Sequence, residues 1–294
     1  GSYDTSTGVS SNPEYGKVFI SIKSTTGQNL TTVQKSNLVT AFAPFKVASI
    51  TPVVVDPSIT YLILNVSFSY DSTATTSTKD ELASLISTTI SNYNSTDLQE
   101  FNSSFRHSKL LGLIDNTDTA ILNNTTTVTM SKFFTPVSET SSYNINFNNA
   151  FFNPHSGHNA AAGGVVASTG FYLDNSTETE YFFDDDGSGN LRIYSLSTGQ
   201  VRTYLNSSAG TVDYVDGTIS TTSLLISAVS NVDGASSTQI RITVIPKSND
   251  VIPVRNQILE IDLVNTTTGG TVDAQATTGV GYTVTSSGTT STTT

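Results

Sequence analysis

Three consecutive aspartates beside a glycine-rich turn are the cluster in this sequence best placed to do chemistry. The stretch YFFDDDGSGNLRIY spaces Asp184, Asp186 and Ser188 two residues apart, as in a loop that binds calcium through oxygen ligands. Such a loop also needs a bidentate glutamate at its twelfth position, where Ser195 stands here. Strand-like residues flank the cluster, and Asp, Gly and Ser suit tight turns. We therefore interpret it as a solvated β-hairpin turn, with weak ion binding between Asp184 and Asn190 as the open alternative.

The histidines offer a second possible site. His155 and His158 lie three residues apart, so two imidazoles could chelate zinc or iron. A third ligand is not evident, and a loop rich in Gly and Ala holds a metal poorly. We interpret this pair as part of a plain loop. His107 lies near a predicted helix end, where a cation interacts favourably with the helix dipole.

Residues for catalysis are not recognisable in the sequence. There is no Gly-x-Ser-x-Gly nucleophile motif and no phosphate-binding glycine loop. The remaining aspartates fall mostly at predicted turns: Asp115, Asp118, Asp213, Asp216 and Asp233. We predict no catalytic, cofactor-binding or metal-binding residues, no cofactor, and no enzymatic activity.

Composition narrows the class of protein further. The chain has 294 residues, no cysteine, a net charge of −11 and only 13% charged residues. Acidity disfavours binding to nucleic acid phosphates, and no apolar run reaches the roughly 18 residues that span a membrane. We expect no nucleic acid, membrane or small-molecule partner. Gly1-Ser2 resembles a cloning remnant, so we expect a fragment of a longer protein.

The pattern of apolar residues divides the chain into four parts. Residues 1–14 are a predicted flexible lead-in that includes the cloning remnant, and residues 15–135 form an α+β domain. Residues 136–268 form a β-rich domain, and residues 269–294 are a Thr- and Gly-rich C-terminal segment. The predicted fold class is α+β: a small mixed sheet with helices on one face (split βαβ-like), followed by an all-β sandwich-like module.

Three capping signals place the helices of the α+β domain. Thr31 and Thr78 each precede Gln or Glu by three residues, which is the capping-box spacing, and Thr96 repeats the signal with Gln99. We expect each helix to bury an apolar stripe on the sheet. The stripes are Leu38, Ala41, Phe42 and Phe45; Leu82, Leu85, Ile86, Ile90 and Tyr93; and Leu98, Phe101 and Phe105.

The longest predicted strand is ITYLILNVSFSYD, at residues 59–71. Its even-numbered positions are all apolar, whereas its odd-numbered positions change from apolar to polar along the strand, which predicts burial on both faces at first and on one face later. After Pro136 the helical signals stop, and short strands separated by turn residues follow.

The order of these elements resembles a known family. Residues 15–270 are similar to the central and C-terminal region of the baseplate wedge ring proteins of T-even-type contractile bacteriophages, which are relatives of the wider baseplate J-like family. The residues that carry the resemblance are Gly16–Ile22, Ile50–Val53, the helix Glu81–Tyr93, the hairpin Phe182–Tyr194, and Ala209–Ile219.

The resemblance implies a mechanical role. A protein of this family is a virion structural protein of the contractile tail ejection system, located in the tail baseplate and assembled in the host cytoplasm. It links neighbouring wedges into a ring by forming homodimers and contacting other baseplate wedge proteins. It preserves the ring during the conformational change that triggers sheath contraction. The family provides no catalytic residues.

The alternative function is a surface adhesin or glycan-binding β module. The Ser-, Thr- and Asn-rich strands with aromatic residues favour it. Phe151 and Phe152 are either contact residues for a partner or part of the domain's own core, and the sequence leaves both open.

Overall fold

The computed structural model of the chain describes residues 3–4, 9–10, 16–24, 30–45, 49–158, 164–254 and 256–273. Its first elements are strands β1 (Tyr3–Asp4), β2 (Val9–Ser10) and β3 (Lys17–Ser21), helix α1 (Thr32–Phe42), strands β4 (Thr51–Val55) and β5 (Ser58–Tyr70), helices α2 (Lys79–Asp97) and α3 (His107–Asp115), and strand β6 (Ile121–Phe134). Strands follow: β7 (Asn144–Asn146), β8 (Val166–Ser168), β9 (Phe171–Leu173), β10 (Tyr181–Asp185), β11 (Asn190–Leu196), β12 (Arg202–Asp213), β13 (Thr218–Thr221), β14 (Ile226–Val229), β15 (Ile240–Val244), β16 (Gln257–Ile261) and β17 (Thr267–Val272). The α+β, strand-rich class is confirmed.

Strands β3 and β4 pair in parallel through helix α1 and form a two-stranded sheet of their own. Helix α1 starts at the predicted capping box, where the Thr31 hydroxyl accepts from Gln34 N and the Gln34 side chain accepts from Thr31 N. No residue of α1 is buried. The expectation that its stripe is buried on the sheet is therefore wrong, and Phe45, just after α1, is 86% exposed.

Helix α2 supplies the main helical packing onto the sheet. It starts at the second predicted capping box, Thr78 with Glu81. Of its predicted stripe, Leu82, Ile86, Ile90 and Tyr93 are buried, and Leu85 is 43% exposed. From Leu62 to Tyr70 the even-numbered residues of β5 are buried, as the alternation predicted. Tyr61 and Ile63 are only half-buried, so the expectation that the strand begins buried on both faces is wrong.

The third helix does not begin at Thr96, where the sequence predicted it. Thr96 lies inside α2, which continues to Asp97, and α3 begins at His107. Leu98 and Phe105 are nevertheless buried, because the segment between the helices folds back onto the core. Phe105 N donates to Val251 O at 2.9 Å, which ties this segment to the C-terminal half of the chain.

One long sheet contains most of the strands. Its order is β16-β5-β6-β15-β8-β10-β11-β12-β13-β7, with β17 also on β5 and with β9 joining β10 to β14. Strands β16 and β17 both pair in parallel with β5, and β15 pairs with β6. The sheet thus contains strands from both sides of residue 135, the predicted domain boundary. The division of the chain into domains stays a prediction. Residues 269–272 of the predicted C-terminal segment lie in β17.

Candidate interaction site

The aspartate cluster forms the tip of a hairpin between β10 and β11. Asp186 Oδ1 accepts hydrogen bonds from Ser188 N at 2.7 Å and from Asn190 N at 3.0 Å, and Gly187 and Gly189 have positive φ angles. Burial acts to raise the pKa of Asp186, but hydrogen bonds from Asn190 and Ser188 outweigh it and lower that pKa. The predicted hairpin is confirmed.

The expectation that all three aspartates are solvated is wrong for two of them, because Asp184 and Asp185 are buried. Asp184 accepts from Arg192 Nε at 2.8 Å, from Arg202 Nη1 at 2.6 Å and from the Tyr204 hydroxyl at 2.9 Å. These three donors compensate the carboxylate for the solvation that it loses on burial. Asp184 is therefore engaged by arginine, and it does not reach into the turn as a calcium ligand would.

Asp185, the last residue of β10, binds the start of β8 through its side chain. Its Oδ1 accepts from Val165 N at 2.9 Å and Val166 N at 2.8 Å, and its Oδ2 accepts from the Tyr214 hydroxyl at 2.7 Å. Burial and this hydrogen bond both raise the pKa of Tyr214 far above its usual range. Asp185 thus holds together β8, β10 and the end of β12.

Aromatic rings surround the Asp184 network on one face of the hairpin. The rings of Phe182 and Tyr194 stack with centroids 5.6 Å apart, and those of Tyr194 and Tyr204 lie 5.9 Å apart. The guanidinium of Arg202 lies 4.5 Å from the Tyr194 ring centroid, and that of Arg192 lies 4.4 Å from the Tyr204 ring centroid. We call these five side chains the arginine–tyrosine patch.

The arginines and tyrosines of this patch were not among the site residues predicted from the sequence. A signal was present in the hairpin register, because counting outward from the turn pairs Asp184 with Arg192 and Phe182 with Tyr194. Arg202 and Tyr204 come from the next strand, and a shift of register between β11 and β12 prevents simple counting.

His155 and His158 contact each other, and His107 lies elsewhere in the fold. The imidazole rings of His155 and His158 meet edge to face with centroids 4.9 Å apart, and both are exposed. Among the described residues, no group of three or more His, Cys, Asp or Glu side chains is placed to hold a metal ion. His107 is the first residue of α3, at the N-terminal end, so the proposed favourable interaction with a helix C-terminus is wrong. Its Nε2 lies 2.8 Å from Thr126 O.

The two phenylalanines of the NNAFFNP segment have different environments. Phe151 is buried and packs edge to face on Phe147, with ring centroids 5.5 Å apart. Phe152 is 40% exposed and meets the His158 ring. Phe151 therefore belongs to the core, and Phe152 is available at the surface.

The turn aspartates mostly serve local structure. Asp213 accepts from Val215 N and Asp216 N, and Asp118 accepts from Ala120 N. Asp115 accepts from the Asn124 side chain, and Asp233 pairs with Arg241. Asp216 lies in the turn that follows Asp213.

An open cleft of about 610 Å³ lies beside the hairpin tip. Its lining includes Asn153, His155, Ser188, Tyr214 and Lys247. Asn153 Nδ2 donates to Gly187 O at 3.1 Å, and Asn153 Oδ1 is buried without a hydrogen-bond partner. The cleft thus offers hydroxyl, amide and imidazole groups next to a tyrosine ring.

The unit formed by β3, α1 and β4 presents a second surface. Val18 is 46% exposed, Val33 is 68% exposed, and Phe45, just after α1, is 86% exposed. Residues 16–55 contain four lysines and no aspartate or glutamate. We call residues 16–55 the N-terminal βαβ unit. None of the described helices is long and apolar enough to cross a membrane.

Comparison with known proteins gives two matches to one family. The family described as baseplate structural protein gp6 matches in its C-terminal domain I at residues 6–55 and in its C-terminal domain III at residues 58–133. The baseplate wedge protein gp6 of Enterobacteria phage T4 is 29% identical over 134 residues, which are 46% of this chain and 20% of that protein. The chain therefore spans about a fifth of the length of this curated relative.

Proposed function

Since residues 6–55 and 58–133 belong to the gp6 family of baseplate structural proteins, we propose that this chain links neighbouring wedges of a contractile phage tail baseplate into a ring. It does so by forming homodimers and by contacting other baseplate wedge proteins. The ring is preserved while the baseplate changes conformation and triggers sheath contraction. The protein resides in the tail baseplate of the virion and is assembled in the host cytoplasm.

The exposed N-terminal βαβ unit is the observation that carries this proposal. Parallel strands are ordinarily covered on both faces, and a sheet of only two strands is at best marginally stable alone. Here α1 buries none of its residues, and β3 and β4 pair only with each other among the described strands. Contact with another protein chain would cover Val33 and Phe45 and would complete the unit.

No catalytic step belongs to the proposal. The buried carboxylates of Asp184 and Asp185 are engaged by arginine, tyrosine and backbone donors. Neither is positioned beside an open cleft as an unpaired acid or base, which general acid–base chemistry would require. We propose that no residue of this chain acts in catalysis, cofactor binding or metal binding.

A test of self-association uses Val33 and Phe45, the two most exposed apolar side chains in the described part of the unit. Burying a valine or phenylalanine side chain contributes about 1.5–3 kcal/mol, so Val33→Ser and Phe45→Ser should each weaken association by about tenfold or more. Sedimentation velocity over a range of concentrations measures this. Val264→Ser is the matched control, because Val264 is 81% exposed but lies outside the unit.

Two results would contradict the proposal. One is a strictly monomeric chain at the highest concentration that also fails to bind other wedge proteins. The other is an equal loss of association in Val264→Ser, which would place the contact elsewhere. A dimer that persists in both test variants would keep self-association but would remove the βαβ unit as its surface.

Glycan binding is the second candidate function, and the cleft beside the hairpin favours it. The unpartnered Asn153 Oδ1 could accept from a sugar hydroxyl, and Tyr214 supplies an aromatic wall. A glycan array probed with the wild-type chain and with Asn153→Leu tests this function. Absence of any signal from the wild-type chain would eliminate it, as would an equal signal from the variant.

A further inference from the structure

The arginine–tyrosine patch lies in the β-rich part of the chain, beyond the residues that match the gp6 family. Its side chains point to one face because the register places Phe182 opposite Tyr194, and Tyr194 opposite Tyr204. Phe183 and Ile193, which alternate with them, are buried in the core on the other face. The patch is therefore a feature of the outer face of the sheet.

The two arginines of the patch outnumber the one carboxylate that they bind, although the chain as a whole is acidic. Between residues 187 and 212 the sequence contains Arg192 and Arg202 and no aspartate or glutamate. Both guanidinium groups bind the carboxylate of Asp184, which comes from β10. The side chain of Arg192 is 8% exposed, whereas that of Arg202 is 34% exposed. Arg202 is thus the positive group of the patch that solvent reaches.

Arg202 is held in place before any partner arrives. Its guanidinium stacks on Tyr194 and donates to Asp184, so little conformational freedom remains to be lost on binding. Burial acts to lower the pKa of Arg202, but Tyr194, Tyr204 and Asp184 outweigh it and raise that pKa. Leu196, opposite Arg202 in the register, is 38% exposed, and Val201 is 63% exposed.

We propose that the arginine–tyrosine patch docks an acidic segment of a partner protein, with Arg202 binding a partner carboxylate. A guanidinium has a planar set of donors that matches a carboxylate, and Arg and Tyr are enriched among the residues that dominate binding energy. The exposed Leu196 and Val201 supply the apolar rim. Identification of that partner as another baseplate protein rests on the proposed function, whereas recognition of acidic side chains does not.

The test uses a fluorescently labelled hexaglutamate peptide as the probe and fluorescence anisotropy as the measurement. The full chain should bind the peptide, and Arg202→Gln should bind it about tenfold more weakly, because hydrogen bonds to charged groups contribute about 1.5–3 kcal/mol. Arg106→Gln is the matched control, since Arg106 is also an exposed arginine paired with an aspartate. It should leave the affinity unchanged.

A second pair of variants keeps the proposal testable if Arg202→Gln fails to fold. Leu196→Asp adds a negative charge at the rim and should repel the peptide, whereas Leu205→Asp, at a site that is 57% exposed and outside the patch, should not. Thermal unfolding of each variant verifies folding.

Three results would overturn the proposal. The first is absence of peptide binding to the wild-type chain, and the second is an equal loss of affinity in the control variants. The third is equal or tighter binding of an eight-residue oligothymidine through Arg202, which would assign the patch to nucleic acid. None of these measurements depends on baseplate assembly or on self-association, so failure of the proposed function would leave them interpretable.

Discussion

Replacing Asp184 with alanine should destabilise this protein by several kcal/mol, about the cost of breaking a buried ion pair. The side chain of Asp184 is 1% exposed and accepts three hydrogen bonds, two of them from arginines. Its loss leaves the guanidinium of Arg192, which is 8% exposed, without its carboxylate. Removing one partner of a buried ion pair costs about 3–5 kcal/mol, so we expect the free energy of unfolding to fall by that amount.

Urea unfolding followed by circular dichroism measures this change, with near-ultraviolet and far-ultraviolet signals compared to test for a two-state transition. Asp80→Ala is the control, because Asp80 and Lys79 form an exposed pair at 3.7 Å and such pairs contribute about 0–1 kcal/mol. A loss below about 1 kcal/mol in Asp184→Ala, equal to that of the control, would refute the view that Asp184 anchors the hairpin.

Three further predictions concern a helix cap, a close backbone approach and a buried carboxylate. Thr78→Ala should lower stability by about 0.5–2 kcal/mol by removing the cap of a helix packed on the core, whereas Thr31→Ala should leave the midpoint of thermal unfolding unchanged, because α1 buries no residue. Gly210→Ala should destabilise the sheet in urea unfolding, since a Cβ there would come within 2.1 Å of Ser220 O; an unchanged midpoint would contradict this contact. Burial raises the pKa of Glu260, although Lys23 opposes it, so the folded state favours the protonated form and stability falls as pH rises through that pKa. Glu260→Gln should therefore be more stable than the wild type at neutral pH and lose that advantage below the usual glutamate pKa; equal stability at both pH values would contradict the prediction.

Local signals in the sequence predicted local structure well. The capping boxes at Thr31 and Thr78 predicted the starts of α1 and α2 correctly, because a cap depends on residues only three positions apart. The third helix was mispredicted because its start depends on distant residues. Arg106, at its N-cap position, makes no side-chain cap bond, and His107 N instead donates to Asp250 Oδ1 at 2.8 Å. A sequence window cannot contain that partner.

The candidate site was predicted only in part, for a related reason. A short run of Asp, Gly and Ser predicted the turn around Asp186, and the structure contains this turn. The buried Asp184 depends on a hydrogen bond from Arg202, which lies on a different strand. Arg202 reaches Asp184 only after β11 and β12 have paired. Two aspartates only two residues apart therefore have different environments, which composition alone could not separate.

Parallel pairing of β16 and β17 with β5 has a consequence for synthesis of the chain. Strand β5 ends at Tyr70, but the strand that covers the end of its edge is complete only at Val272. At about 5–20 residues per second, a ribosome needs roughly 10–40 s to make the intervening residues. During that interval the edge of β5 opposite β6 is not yet covered by β16 and β17. We expect truncation before Gln257 to give aggregated protein, because an unpaired apolar strand edge is a template for other chains.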